Sequence, residues 1–577
     1  FLSSRALSLF VWGVAPLWGG AAQPPNRGGR YEEFRRRIEA ATARLTAVYA
    51  ALPDQPQLSN AQRWLFDNDY LLWRSLQSVE ADMPRRFFDR LRTLPAGSTR
   101  IESVVAAYLD GHDGRVDVGD LRRTLQDQRA VSPLDLAELW AAPTMLRLLL
   151  VERLLSDVDS EPVVSAAVLG LHEVQRTDWT RFVEATSVVE SRLRDDPSGI
   201  YASMDDGTRD RYRGAVERLA RRTGATEVEV CEAAIAVARR ASASTDAGAS
   251  RDAGASSDAG ASSDAGSRHV GTYLVGHLRH ELEAHLGFTP GLGLRARRAA
   301  IRNAHALYVA ALVLVASIIA TPLVAYAASS GAGWGFALLA LALVVPVWLA
   351  AEVIVQRVAA AVVPPRVLPK LDLLREAGAR HRTLVAIPCL LTDKATIDAL
   401  FERLERHHVA NAVGPLAEKL SFALLADLPD APTETQPSDD ALLDHAAALL
   451  ADLRCRNPAG DFHLLVRRRL FNEAEGVWMG WERKRGKLME LNALLLEGAT
   501  GTFTTDGLPA GLDGVRYVIT LDADSLLPPG AAAGLIGTLS HPVNRARFDA
   551  AGRVVGGYKV LQPRVEVAPG SAGRTRF

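Results

Sequence analysis

The sequence predicts an α/β domain built on a parallel, doubly wound sheet, preceded by an all-α region and a two-helix transmembrane hairpin. Three observations carry this expectation. Residues 31–240 place apolar residues three and four apart, the helical spacing. Residues 304–328 and 335–351 are almost free of charge. From residue 383 onward, short apolar runs at 383–388, 421–426, 462–466 and 517–521 alternate with helical stretches such as 396–408 and 486–496. Strands separated by helices are the pattern of βαβ units.

A chain of 577 residues is long enough for roughly three or four domains. We divide it into a helical cytoplasmic domain (1–240), an Asp-Ala-Gly-Ser linker (241–268), a helical juxtamembrane segment (269–303), the hairpin (304–356), a second linker (357–380) and the α/β domain (381–577). Lys and Arg (66) balance Asp and Glu (67), so no overall basic field argues for nucleic acid as a partner. The three cysteines lie far apart, which excludes a disulfide framework and suits a reducing compartment. The chain opens on Phe1 rather than Met and closes on Phe577, and both ends look cut from something longer. The apolar stretch 6–18 resembles a weak signal-peptide core, but is read here as a helix of a truncated domain.

In the helical region, Phe34, Ile38, Ala41, Leu45 and Val48 form one apolar stripe. Ser132, Pro133 and Asp135 look like a helix start, with a hydroxyl cap and a proline in the first turn. Thr226 and Glu229 have capping-box spacing. Trp64, Trp73, Trp140 and Trp179 are expected to be core or packing residues. From residue 241 the composition changes: Asp-Ala-Gly recurs every six residues at Asp246, Asp252, Asp258 and Asp264. Without large apolar residues such a stretch cannot offset its ordering entropy, so it is expected to be a disordered linker or surface loop. Its spacing does not match a calcium loop. His277, His280 and His285 almost spell a zinc-protease helix, but His280 and His285 are five apart and fall off one face. His407 and His408 are adjacent and are expected at the surface.

The two apolar stretches approach the ~20 residues that a hydrocarbon core requires. Arg295, Arg297, Arg298 and Arg302 precede the first; Arg357, Arg366 and Lys370 follow the second; the loop between them carries no basic residue. Positive charge on both outer flanks places those flanks in the cytoplasm. A buried helical pair in a soluble protein is the rival reading.

The α/β domain carries the chemistry. Its last predicted strand, 517–521, runs into Asp522-Ala-Asp524. Alternate residues of an extended chain point the same way, so both carboxylates can reach one ligand. Two hard oxygen donors suit Mg2+ or Mn2+, which can hold a diphosphate. Turn chemistry closing a strand is the alternative. Asp427 ends the second strand on the same sheet edge, where it can bind a nucleobase or ribose. The basic start of a helix, Lys484-Arg485-Gly486-Lys487, can hold phosphate through charge and free N–H groups.

Asp427, the run Gly486-Lys487 to Leu491-Asn492, and Asp522-Ala-Asp524 resemble the nucleotide-sugar site of GT-A inverting glycosyltransferases. Longer strings narrow the likeness: Leu424-Leu-Ala-Asp-Leu-Pro-Asp430, Glu475-Gly-Val-Trp-Met-Gly-Trp481 continuing to Lys487, Tyr201-Ala-Ser-Met-Asp205, Thr208-Arg-Asp-Arg-Tyr212, His541-Pro542 and Leu561-Gln-Pro-Arg564. These resemble the cyclic β-1,2-glucan synthases, over most of the chain. The resemblance implies a GT-A-like domain, here truncated. It further implies UDP-glucose as donor, Mg2+ or Mn2+ as cofactor, and a growing β-glucan chain made by a multi-pass protein of the bacterial inner membrane. It assigns Asp522 and Asp524 to the metal, with Asp522 also facing the diphosphate. It also places Asp427 at the uridine, Lys487 at a phosphate and Asn492 in the nucleotide-sugar site. Inverting transfer needs a general base. Asp549 and Glu566 follow the acidic pair without a convincing context, so the base is expected beyond residue 577 and the chain alone is expected to be incomplete. Two rivals remain: a non-catalytic membrane scaffold, and an Asp-x-Asp phosphatase of the haloacid dehalogenase type, which would place its motif on the first strand rather than a late one.

Overall fold

Helix boundaries follow the local rules that the sequence obeys, and the computed structural model shows them for residues 28–52, 57–94, 98–127, 133–249, 268–329, 334–363, 365–505, 507–549 and 551–567. The stretch 6–18, Ser132 and the aspartate repeats after residue 249 lie outside these residues. The helices used below are α1 (Gly28–Ala50), α2 (Leu136–Ser156), α3 (Glu161–Arg176), α4 (Asp206–Thr223), α5 (Glu227–Ala249), α6 (Leu292–Arg302), α7 (Ala304–Ser329), α8 (Trp334–Val362), α9 (Lys394–Asn411), α10 (Asp439–Arg456), α11 (Arg483–Glu497) and α12 (Ala531–Ser540). The strands are β1 (Thr383–Leu390), β2 (Leu420–Asp427), β3 (Asp461–Val466), β4 (Leu470–Asn472), β5 (Val477–Met479), β6 (Tyr517–Thr520), β7 (Arg547–Phe548) and β8 (Val554–Gly556). They form two compact units: residues 1–187 with 283–367, and residues 188–282 with 368–577.

The first unit is helical. Phe34, Ile38, Ala41 and Leu45 of α1 are all buried, as their spacing predicts. Helix α2 is apolar nearly all round and packs against α3, the behaviour of a core helix. It starts at Leu136 rather than at the Ser132-Pro133 signal, because Glu138 reaches back to the Asp135 N–H (2.8 Å) and makes Asp135 the cap. Trp64, Trp73, Trp140 and Trp179 are half-buried packing residues rather than fully enclosed ones. Helices α7 and α8 pack on each other and contain predominantly apolar stretches, Ala304–Tyr326 and Leu341–Val362, of 23 and 22 residues. Only 6% and 17% of their most apolar windows are buried, so they are not the core of a soluble protein.

The second unit is assembled from both sides of this hairpin. Thr226 and Glu229 form the expected reciprocal box (3.2 and 2.7 Å) ahead of α5. That helix continues to Ala249, past the point where a linker was expected; the Ala-rich composition that lacks a core still favours helix. The chain returning from the hairpin is clamped at Pro369–Asp372. Lys370 N–H donates to Thr208 Oγ1 (3.0 Å), Asp372 N–H to the Ser203 carbonyl (2.8 Å), and Leu371 N–H to the Gly537 carbonyl (3.0 Å). Asn544 donates to the Pro369 carbonyl (2.7 Å). Beneath the clamp, buried His269 bonds Asp196 (2.8 Å) and Tyr212 (3.0 Å) and lies 5.2 Å, ring to ring, from His541. The strings around Tyr201, Tyr212 and His541 therefore meet at one junction.

The sheet order is β3-β2-β1-β6, all parallel. The four predicted strands all form, and β1 runs two residues further, to Leu390. Alternate residues divide the sheet's faces. Leu384, Ala386, Ala423, Leu425 and Leu465 pack with Leu491 and Leu494 of α11. Phe422 and Phe462 face the other way and meet His408 of α9 edge-on (5.4 and 4.9 Å). Helices on both faces make the sheet doubly wound. His407 and His408 are thus not surface residues as expected: His407 is 1% exposed and its Nδ1 accepts from Leu527 N–H (3.3 Å). The β4–β5 hairpin was not anticipated, since three-residue strands leave no periodicity to see.

Buried histidines make this unit acid-sensitive. His381, just before β1, accepts from Gly378 N–H (3.1 Å), and burial first, then Arg380, pushes its pKa down to about 4. Burial likewise holds His541 well below its ordinary value. These rings fold neutral, whereas the unfolded chain takes up protons near pH 6.5. Stability is therefore full above that pH and falls as pH drops toward 4. For His381 alone the loss at pH 5 is on the order of 2 kcal/mol. Thermal unfolding at pH 7.5 and pH 5 should show it, and His381→Asn should reduce the difference.

Candidate functional site

Strands β2 and β3 lie on one side of β1 and β6 on the other, so the chain reverses its direction of travel across the sheet at β1. In open α/β sheets ligands bind outside the carboxyl ends of the strands at such a switch point. The residues at that edge are Cys389 and Leu390 of β1, Asp427 of β2, and Asp522 and Asp524 after β6.

Asp427 is 2% exposed and fully engaged. The guanidinium of Arg467, directly after β3, grips it at 2.8 and 3.0 Å, and Lys487 Nζ sits at 3.0 Å. Lys487 also donates to the carbonyls of Cys389 (2.8 Å) and Leu425 (3.0 Å), tying α11 across the ends of β1 and β2. Burial lowers the Lys487 pKa, opposed by the Asp427 carboxylate. Arg467 further reaches Glu490 (3.2 Å) and the carbonyls of Trp481 (3.0 Å) and Arg483 (3.3 Å). Two cations and two carboxylates thus neutralise one another within the site's floor. Burial, opposed by Lys487 and reinforced by Asp427, pushes the Cys389 thiol up to about 12, which disfavours the thiolate.

The rim is different in character. Glu482 has φ 39°, a left-handed conformation uncommon for a side-chain-bearing residue. Arg467 holds the carbonyls on either side of it. Two glycines are sterically required there. A Cβ at Gly480 would lie 2.6 Å from the Asp427 carboxyl carbon, and one at Gly486 would lie 2.4 Å from both the Trp481 ring and its carbonyl oxygen. The turn directs α11's first residues toward β6, where Lys484 bonds Asp522. Both side chains are more than half exposed, and Asp524 is exposed as well. The Trp481 side of the rim also remains open, with the residue 45% exposed.

No protein-family profile matches the chain. Among curated proteins it is 30% identical, over 636 aligned residues covering 92% of its length, to the cyclic beta-(1,2)-glucan synthase NdvB of Rhizobium meliloti (strain 1021). Over nearly its whole length the chain is thus similar to a cyclic β-1,2-glucan synthase. It spans 22% of that relative's length.

The site residues expected from sequence fall into two groups. Asp427 and Lys487 form the buried floor, as partners of each other and of Arg467. Asp522 and Asp524 stand exposed at the rim. Asn492 lies on the solvent side of α11. Arg467 and Glu490 were missed. The signal for Arg467 was the run Arg467-Arg468-Arg469 at a strand end, but only the fold separates its members. Arg467 turns to Asp427, Arg469 pairs with Asp439 (2.9 Å), and Arg468 faces solvent. Asp549 serves its own turn, accepting from the backbone of Ala551 and Arg553, and Glu566 pairs with Arg564.

A divalent cation fits Asp522 and Asp524 only if a ligand completes its shell. The described residues contain no group of three or more His, Cys, Asp or Glu able to hold a metal ion. Two exposed carboxylates, of which Asp522 already attracts the Lys484 ammonium, match the way Mg2+ is bound, through one or two carboxylates plus substrate phosphates.

Proposed function

We propose that the second unit binds the donor of a membrane-bound inverting glycosyltransferase that adds glucose from UDP-glucose to a β-1,2-glucan. The supporting observation is the convergence at the sheet's switch point. A buried carboxylate floor, a basic helix start and an exposed acidic pair share one edge, in a chain similar to a glucan synthase. Asp522 and Asp524 would hold Mg2+ or Mn2+, which when bound neutralises the leaving diphosphate. Lys484, freed from Asp522, would add positive charge beside it. Asp427 and Lys487, with Arg467, set the pocket floor on which uridine and phosphate rest, and Asn492 borders it. In the transfer an acceptor hydroxyl oxygen attacks the anomeric carbon, the bond to the phosphate oxygen breaks, and UDP leaves with the electron pair. The hydroxyl proton passes to a base that none of the described carboxylates is placed to supply.

The membrane reading rests on the exposed apolar hairpin. Residues on both sides of it build one folded unit, so the chain leaves and re-enters the bilayer on the same face. The arginines flanking the hairpin support a cytoplasmic position for that face, which in our reading is that of a bacterial inner membrane. Calorimetry on the detergent-solubilised full chain tests the function. UDP should bind saturably with Mn2+ and not with chelator. Absence of binding with Mn2+ would favour a scaffold, and metal-dependent phosphatase turnover without UDP affinity would favour the dehalogenase-type reading.

A further inference from the structure

Helix α6 is unlike every neighbour in having no buried residue. It ends at Asn303, and α7, the first apolar span, begins at Ala304, with Leu307 N–H donating to the Asn303 carbonyl (3.0 Å). The helix therefore stands at the mouth of the span. Arg295, Arg298 and Arg302 recur at spacings of three and four, which puts them on one stripe, while Arg297 lies off it on the side of Ile301. Ala296 and Ala300 lie opposite, while Leu292 and Ile301 are 84% and 61% exposed. Arg298 is held by Glu283 (2.7 Å). Arg295 touches only a backbone carbonyl, that of Pro290 (2.8 Å), and neither it, Arg297 nor Arg302 meets a carboxylate among the described residues. Three guanidinium groups without counter-ions, on a helix with exposed apolar side chains, match a surface that is anionic outside and apolar beneath.

We propose that α6 lies in the membrane interface and that Arg295, Arg297 and Arg302 bind the phosphate headgroups of anionic phospholipid. The occupant follows from continuity with the span: a helix one residue from the bilayer meets headgroups before any soluble partner. Arginine stems lie along the apolar boundary while their heads reach the phosphates. Basic groups beside an anionic membrane attract it by about 1 kcal/mol each, close to fivefold in relative affinity, and the attraction decays within a Debye length. This assignment rests on the membrane reading of the hairpin and not on the glycosyl-transfer reading; failure of the chain to enter bilayers at all would count against the membrane reading, and incorporation without lipid preference against this assignment alone.

The test uses the full chain in phosphatidylcholine bilayers carrying spin-labelled phosphatidylglycerol or spin-labelled phosphatidylcholine. The motionally restricted fraction of each gives a relative association constant. The wild-type chain should prefer phosphatidylglycerol by at least about threefold at low salt, and Arg295→Gln with Arg297→Gln and Arg302→Gln should bring the ratio close to one. A wild-type ratio of one, or an unchanged ratio in the triple variant, overturns the proposal. If the triple variant fails to fold, the wild-type chain still decides: its preference should vanish at 0.5 M salt, and a salt-insensitive preference rejects the ionic contact.

Discussion

Replacing Arg467 by methionine is expected to destabilise the second unit by about 3–5 kcal/mol, the cost of breaking a buried ion pair from one side. Arg467 is the hub of the floor: it neutralises Asp427, touches Glu490 and fixes the two carbonyls around strained Glu482. Without it, Lys487 alone neutralises buried Asp427, Glu490 loses its cation, and the carbonyls of Trp481 and Arg483 lose the donor that fixes the turn around Glu482. Domains are stable by roughly 5–15 kcal/mol, so the loss consumes a large part of the margin. Arg467→Lys keeps the charge but not the fork that spans both Asp427 oxygens, and should fall between the two. Denaturant unfolding followed through tryptophan fluorescence measures this. Equal midpoints for wild type and Arg467→Met would show that the floor is not held as described.

Asp522→Asn and Asp524→Asn should behave in the opposite way. Both carboxylates are exposed, and Asp522's partner is a solvated lysine, so stability should change by no more than about 0.5 kcal/mol. Removing a carboxylate from a two-carboxylate metal site, however, leaves a cation few protein ligands. Altering even an outer-shell partner costs 10–100-fold in metal affinity, so Mn2+-dependent UDP affinity should fall by about 100-fold or more. The readout is UDP titration at fixed Mn2+, with thermal unfolding as the control. A variant that unfolds normally and binds UDP unchanged removes that aspartate from the site.

The contrast between these two sets of residues explains what could be read from the sequence. Four strands were visible because each is an apolar run between helical stretches, and β2, buried at every position, is the clearest. The acidic pair was visible because it interrupts such a run. The exposed rim was legible through local pattern alone. The floor was legible only in part: Asp427 and Lys487 stood out in the sequence, but Arg467 and Glu490 did not, since the four come from three separate elements and meet only when the sheet closes. The same holds for the junction of Tyr212, His269 and His541, whose members are hundreds of residues apart in part and converge only because the chain returns from the hairpin. His407 and His408 misled for a related reason. Two adjacent polar rings on a helix suggest solvent, yet α9 turns His408 against the aromatic face of the sheet and buries His407 against the Leu527 backbone.

The central claim is that a cation at Asp522 and Asp524 carries a nucleoside diphosphate at the carboxyl edge of the parallel sheet. Anomalous diffraction from crystals of the chain grown with Mn2+ and UDP tests it directly. The account predicts a manganese peak within about 2.5 Å of oxygens from both aspartates and from the diphosphate. A bound UDP with its metal elsewhere, or a metal that touches neither carboxylate, would contradict it.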